Sequence, residues 1–186
     1  MNRLLLGGLL LLMGCDALQP RTPETPETTG GTFLQPDTPE QVVENVQAAI
    51  AELNTTNYRR SFAQTLTFTP TLAAEARDGA LWTTWSRTEE EGYFSTLAAA
   101  AQFASGHELR LDEQTTSIVG TDRFLLDARY TLTVQHRRTD VATSVQGRLI
   151  WTITQGDDGL WSIAEWTDRA ITGNASWSDL KASFIQ

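Results

Sequence analysis

From residue 124 to residue 136 the chain alternates strictly. Phe124, Leu126, Ala128, Tyr130, Leu132 and Val134 fall on one face, and Asp127, Arg129, Thr131, Thr133 and Gln135 on the other. A period of two with one apolar face predicts a half-buried strand. Residues 144–155 follow the same rule, with Val145, Leu149, Trp151 and Ile153 together, and residues 108–119 follow it more loosely. Asp157-Asp158-Gly159 is a tight hairpin signal, and residues 160–168 make the last long strand.

Before residue 108 the period is closer to 3.6. Thr38-Pro39-Glu40-Gln41 forms a capping box with proline at the first helical position. Val42, Val43, Val46, Ala49, Ile50 and Leu53 follow at helical spacing. Residues 54–57 interrupt this helix, and a short second one is predicted to hold Tyr58 and Phe62. Leu66-Thr67-Phe68-Thr69 alternates as a strand that Pro70 stops. Residues 71–87 show no clear period, which places Trp82 and Trp85 in a loop. Thr88 with Glu91 reads as a second capping box, and the glutamates there sit where a helix dipole favours them. Phe94, Leu97, Ala98, Ala101 and Ala104 continue that helix, and Gly106 ends it. Residues 177–184 predict a closing helical turn. Helices first and long antiparallel strands afterwards argue an α+β domain over residues 38–186. Its N-terminal helices would pack on the concave face of a curved antiparallel sheet.

The ends of the chain differ in kind. Residues 1–15 read MNRLLLGGLLLLMGC: Arg3, an apolar run over residues 4–13, then Gly14 and Cys15. The run has the length of a signal-peptide core and is too short to span a bilayer. Leu12-Met13-Gly14-Cys15 resembles the bacterial lipobox. That resemblance implies lipid on the Cys15 thiol, cleavage between Gly14 and Cys15, and attachment to a membrane of the cell envelope, inner or outer. Residues 15–37 then form the lipidated cysteine and a spacer rich in proline, threonine and glutamate. Five of the six prolines fall in it or at its edge. Such a segment buries too little apolar surface to offset its ordering entropy.

Composition narrows the chemistry. At 40% hydrophobic, the 186 residues carry enough apolar material for one core. The net charge of −9, which loss of Arg3 takes to −10, repels phosphate backbones, so nucleic acid is not an expected partner. Cys15 is the sole cysteine, so neither an internal disulfide nor a cysteine metal site is expected. Two histidines exclude a multi-histidine site: His107 reads as a helix C-terminal cap and His136 as a satisfied strand-edge residue. No metal and no cofactor are expected.

Several passages together resemble the nuclear transport factor 2-like superfamily, the cone-shaped fold of ketosteroid isomerase and the SnoaL-like proteins. They are the first capped helix, Tyr58…Phe62…Phe68-Thr69-Pro70, and Gly159-Leu160-Trp161-Ser162-Ile163-Ala164-Glu165-Trp166-Thr167-Asp168. Trp85, and Trp177…Leu180-Lys181…Phe184, look like those of a subset of envelope lipoproteins with this fold. The resemblance implies a pocket between sheet and helices, for which Tyr58, Phe62, Tyr130, Trp151, Trp166 and Asp168 are the candidate lining. In one reading Asp168 is a base beside an indole and the tyrosines donate to a developing oxyanion. In the other the tryptophans are core, and Asp168 caps a turn or pairs with Arg169 or Arg129. No His–Asp pair or nucleophile motif stands beside them. The expected function is therefore an envelope lipoprotein that binds a small apolar ligand or a protein partner without catalysis. An isomerase, dehydratase or hydrolase, and a structural subunit dimerising through its sheet, are the alternatives.

Overall fold

The computed structural model describes residues 30–185. Gly14, Cys15, the signal segment and most of the spacer lie outside the described residues. The elements run α1 (Pro39–Ala51), α2 (Thr55–Arg60), β1 (Phe62–Thr69), α3 (Leu72–Trp82), α4 (Arg87–Ala99), β2 (Glu108–Ile118), β3 (Arg123–Thr133), β4 (Ser144–Gln155), β5 (Trp161–Ala170) and α5 (Trp177–Ile185). The strands form one open, curved five-stranded sheet in the order β1-β5-β4-β3-β2. The α+β architecture is the expected one, with two differences. Edge strand β1 runs parallel to β5, the other pairs being antiparallel. The C-terminal helix α5 joins the N-terminal helices against the sheet, touching β4, α3 and α4.

Local chemistry explains most of the boundaries. The Thr38 and Gln41 side chains close the predicted capping box of α1. The cap of α4 is Ser86 with Glu89, two residues before the predicted pair, because the Ser86 side chain also answers the Thr88 amide. That helix stops at Ala99 rather than at Gly106, whose φ of +88° instead turns the chain into β2. Residues 72–82 are helical rather than loop: Thr71 caps them by accepting from the Ala74 amide, and a kink at Asp78 blurs the period. Phe62 opens β1 instead of lying in α2.

The apolar faces read from the pattern are the core. Phe124, Leu126, Ala128, Tyr130 and Leu132 of β3, and Val134 just after it, are all buried, and so are Val145, Leu149, Trp151 and Ile153 of β4. The opposite sheet face is polar, carrying the Arg148–Asp127 and Arg123–Glu165 ion pairs. Among the described residues no helix is long and apolar enough to cross a membrane.

Candidate functional site

The sheet and the helical layer enclose an aromatic interior, and α5 lies inside it. Trp151, Trp166 and Trp177 are at most 1% exposed. The Trp166 ring stands edge-on to both of the others, at centroid distances of 5.6 and 4.5 Å. Two acidic side chains share this interior, and α5 supplies partners to each.

The first is Glu90, in the first turn of α4. Its Oε1 accepts from the Tyr58 hydroxyl at 2.7 Å. Its Oε2 accepts from the Trp85 indole N–H at 2.8 Å and from the Lys181 ammonium at 2.6 Å. Both charged side chains are fully buried. Lys181 Nζ also lies 3.4 Å from the ring centroid of Trp166 and 3.6 Å from that of Phe68. The electron-rich ring faces replace part of the hydration the cation has lost. Burial pulls the Lys181 pKa down to about 8, while the Glu90 charge resists that fall. Burial, and then the Glu90 charge, push the Tyr58 hydroxyl well up, so it stays a donor.

The second centre is Asp168 on β5. Its Oδ1 accepts from the Tyr130 hydroxyl at 2.8 Å. Its Oδ2 accepts from the Ser178 amide at 2.8 Å and the Ser178 hydroxyl at 2.6 Å. The Tyr130 oxygen accepts in turn from the Trp177 amide at 2.7 Å, and the Trp177 indole donates to the Tyr93 hydroxyl at 2.9 Å. Asp168 and Tyr130 thus satisfy the first two amides of α5, which a helix cannot bond internally and where negative charge is favoured. Burial raises the Asp168 pKa against the opposing pull of Ser178, Tyr130 and Lys181. Burial, and then the Asp168 charge, raise Tyr130 far above its ordinary range. Gly147 makes this possible: a Cβ there would stand 2.6 Å from Tyr130 Cζ.

The six predicted pocket residues are brought together, but as packed interior. Tyr58, Phe62, Tyr130, Trp151, Trp166 and Asp168 are each at most 2% exposed. Tyr58 meets Phe62 at 4.9 Å, Phe62 stacks with Trp166 at 6.1 Å, and Tyr130 holds Asp168. Asp168 pairs with neither Arg129 nor Arg169; it caps α5. His107 does not cap a helix. Its Nδ1 accepts from the Gln135 amide, so its Nε2 donates to the Phe103 carbonyl at 2.9 Å, tying the turn after α4 to the end of β3. His136 is buried at the strand end and only half satisfied: Nε2 lies 3.2 Å from the Ala142 carbonyl, and Nδ1 finds no partner among the described residues.

Sequence reasoning missed the Glu90–Lys181 pair. A usable signal was present: Trp177, Leu180, Lys181 and Phe184 share one helical face, and a lysine within an apolar stripe implies a buried acid opposite. Among the described residues no group of three metal-binding side chains converges.

No protein-family model and no curated protein matches the chain. Solved structures do match. A nuclear transport factor 2-like protein from Cytophaga hutchinsonii is 13% identical with a TM-score of 0.53, over 75% of this chain and 100% of its own. Another, of unknown function in nutrient uptake, from Rhodospirillum rubrum, is 12% identical with a TM-score of 0.53, over 70% and 95%. A candidate scytalone dehydratase from Novosphingobium aromaticivorans is 8% identical with a TM-score of 0.56, over 72% and 81%. At these identities the likeness establishes the fold alone: the domain has a cone-shaped fold like that of these nuclear transport factor 2-like proteins.

Proposed function

We propose that this chain, built on a nuclear transport factor 2-like fold, is a lipid-anchored protein of the bacterial cell envelope and a non-catalytic binding module. One observation carries the second half of that reading: α5 occupies the cone. Glu90 and Asp168 have every near donor supplied from within, and Lys181, Tyr58 and Tyr130 are all fully buried. A catalytic group must come within hydrogen-bond reach of its substrate, and none of these does while α5 is seated. Recognition then falls to the outer surface. The lipobox-like Leu12-Met13-Gly14-Cys15 supports the anchor.

Native mass spectrometry of protein purified from its own host tests the filled cone. The expected mass is that of the lipidated chain alone; a small apolar molecule retained in the fold would defeat this reading. Cys15→Ser tests the anchor, and is expected to abolish lipid incorporation and membrane partition. Unchanged partition would refute the anchor.

The second reading is an enzyme of isomerase or dehydratase type, favoured by the 2.8 Å Tyr130–Asp168 pair, whose carboxyl burial makes a stronger base. It requires α5 to leave. Amide hydrogen exchange over residues 177–185 decides between the two: protection equal to that of β3 and β4 excludes the enzyme, and fast local opening supports it.

A further inference from the structure

Outside the cone a groove of about 960 Å³ lies where the starts of β1 and β5 meet the stretch leading into α1. The Trp161 amide donates to the Pro36 carbonyl at 2.8 Å and fixes that stretch in place. Phe33 and Trp161 supply aromatic surface, Arg60 and Arg87 enter from the helical layer, and Asp157 and Asp158 enter from the β4–β5 turn.

The helical side carries more positive charge than its surroundings compensate. Arg59 is a third arginine there and pairs with Glu91 at 2.6 Å. Among the described residues no carboxylate lies within 4.0 Å of the Arg60 or Arg87 guanidinium. Arg60 instead lies over the Phe33 ring at 3.7 Å, and Arg87 donates from Nε to the Arg59 carbonyl at 3.2 Å. Burial first, and the Arg59 charge second, lower the Arg87 pKa, and the Glu91 charge, already paired with Arg59, offsets only part of that fall. The turn side has the opposite sign. Asp157 and Asp158 are exposed, and among the described residues Asp158 Oδ1 accepts only from the Leu160 amide of its own turn, at 3.1 Å.

We infer that this groove binds a zwitterionic head group, with a phosphate or carboxylate on Arg60 and Arg87 and an ammonium on Asp157 and Asp158. Both signs are needed. A plain anion meets the aspartates and a plain cation meets the arginines, and like charges brought together lower affinity. The guanidinium fork matches the oxygens of phosphate and carboxylate, and the volume suits a small molecule. Phe33 and Trp161 take whatever apolar body the head group carries. The inference rests on the reading that recognition lies outside the filled cone; it does not need the anchor.

Isothermal titration of the whole protein with glycerophosphoethanolamine, glycerol 3-phosphate and ethanolamine tests it. The zwitterion is expected to bind at least about tenfold more tightly than either half, since one charge-assisted hydrogen bond is worth that much. Arg60→Gln and Arg87→Gln should each weaken it about tenfold. The Asp157→Asn, Asp158→Asn double variant should weaken the zwitterion while strengthening glycerol 3-phosphate. Arg60→Gln, on an exposed side chain, guards against Arg87→Gln simply fraying α4. Equal binding of zwitterion and glycerol 3-phosphate, insensitivity to both arginine variants, or no binding of any probe would overturn the inference. Indole N–H resonances separate it from the reading beneath it. A shift confined to Trp161 places the ligand in the groove, whereas shifts of Trp166 and Trp177 place it in the cone and overturn the filled-cone reading instead. Competition by phosphatidylethanolamine vesicles, but not by phosphatidylglycerol vesicles, identifies a membrane lipid as the source; indifference to both identifies a free metabolite.

Discussion

The two acidic centres of the cone, Glu90 and Asp168, are buried alike, at 0% and 1% exposed, and the same helix completes both. They differ in what α5 brings. To Glu90 it brings a counter-charge, the Lys181 ammonium at 2.6 Å. To Asp168 it brings direct contacts from dipoles alone, the Ser178 amide and hydroxyl with the helix N-terminus behind them, and the Lys181 charge acts on it only from a distance. A buried ion pair is costly to break from one side because the survivor is left uncompensated. A carboxyl held by hydrogen bonds has a second option, since it can take up a proton. The middle of α5 is therefore the attachment that costs most to break, and the two ends of this comparison respond to pH in opposite directions.

The largest expected effect separates the centres at once. Lys181→Met keeps the stem's bulk and strands Glu90, and should destabilise by about 3–5 kcal/mol in urea unfolding. Adding Glu90→Gln should recover at least half of that loss; no recovery would mean that Lys181 acts through packing alone. Asp168→Asn should be milder, about 1–3 kcal/mol, because one carboxyl position then offers a donor where Ser178 or Tyr130 also donates. Its pH profile is the sharper readout. The folded Asp168 pKa is raised, so between the unfolded value of about 3.9 and the folded one the native state holds more protons. Stability from this group is therefore full at low pH and lost as pH rises through the folded pKa, and Asp168→Asn should flatten that slope. Lys181 runs the other way. Its folded pKa is lowered to about 8, so its contribution increases as pH rises from about 8 towards its ordinary value. A stability profile showing neither slope would remove the distinction between the centres.

Gly147→Ala attacks the Asp168 centre indirectly, pressing a methyl onto Tyr130, and should cost about 1–3 kcal/mol with a lowered Tm. The smallest effect belongs to the polar face of the sheet. Asp127→Asn breaks a partly exposed pair with Arg148 and should cost less than about 1 kcal/mol by the same measurement.

The sheet was legible because burial there follows a simple rule. β3 alternates along its length and β4 does so as far as Trp151, and Asp157-Asp158-Gly159 marks the turn between β4 and β5. The helical layer was harder. In α3 the apolar positions serve no single face: Leu72 is 85% exposed while Ala74 and Trp82 are buried, and Asp78 interrupts the helix. Two capping-box patterns overlap at the start of α4, Ser86 with Glu89 and Thr88 with Glu91, and the structure uses the first. Trp166 and Asp168 were readable as one face of the last strand, and Tyr130 as part of the apolar face of β3. That α5 would fill the space before them was not, because the fact lives in contacts between distant residues. Glu90 in a favourable first turn looks like a solvated charge until Lys181, 91 residues later, is laid against it.

That separation has a kinetic consequence. Among the described residues β1 finds its only strand partner in β5, about a hundred residues on, and the Thr71 amide waits for the Ser178 hydroxyl 107 residues away. Contacts of such range require most of the chain to be ordered before they give anything back, which slows folding and makes it concerted. Until β5 and α5 have formed, Glu90 lacks its lysine and β1 has no strand beside it. The expectation is a slow final phase in which the last helix seats and the first strand pairs together, visible as indole burial lagging the gain of sheet signal in stopped-flow refolding.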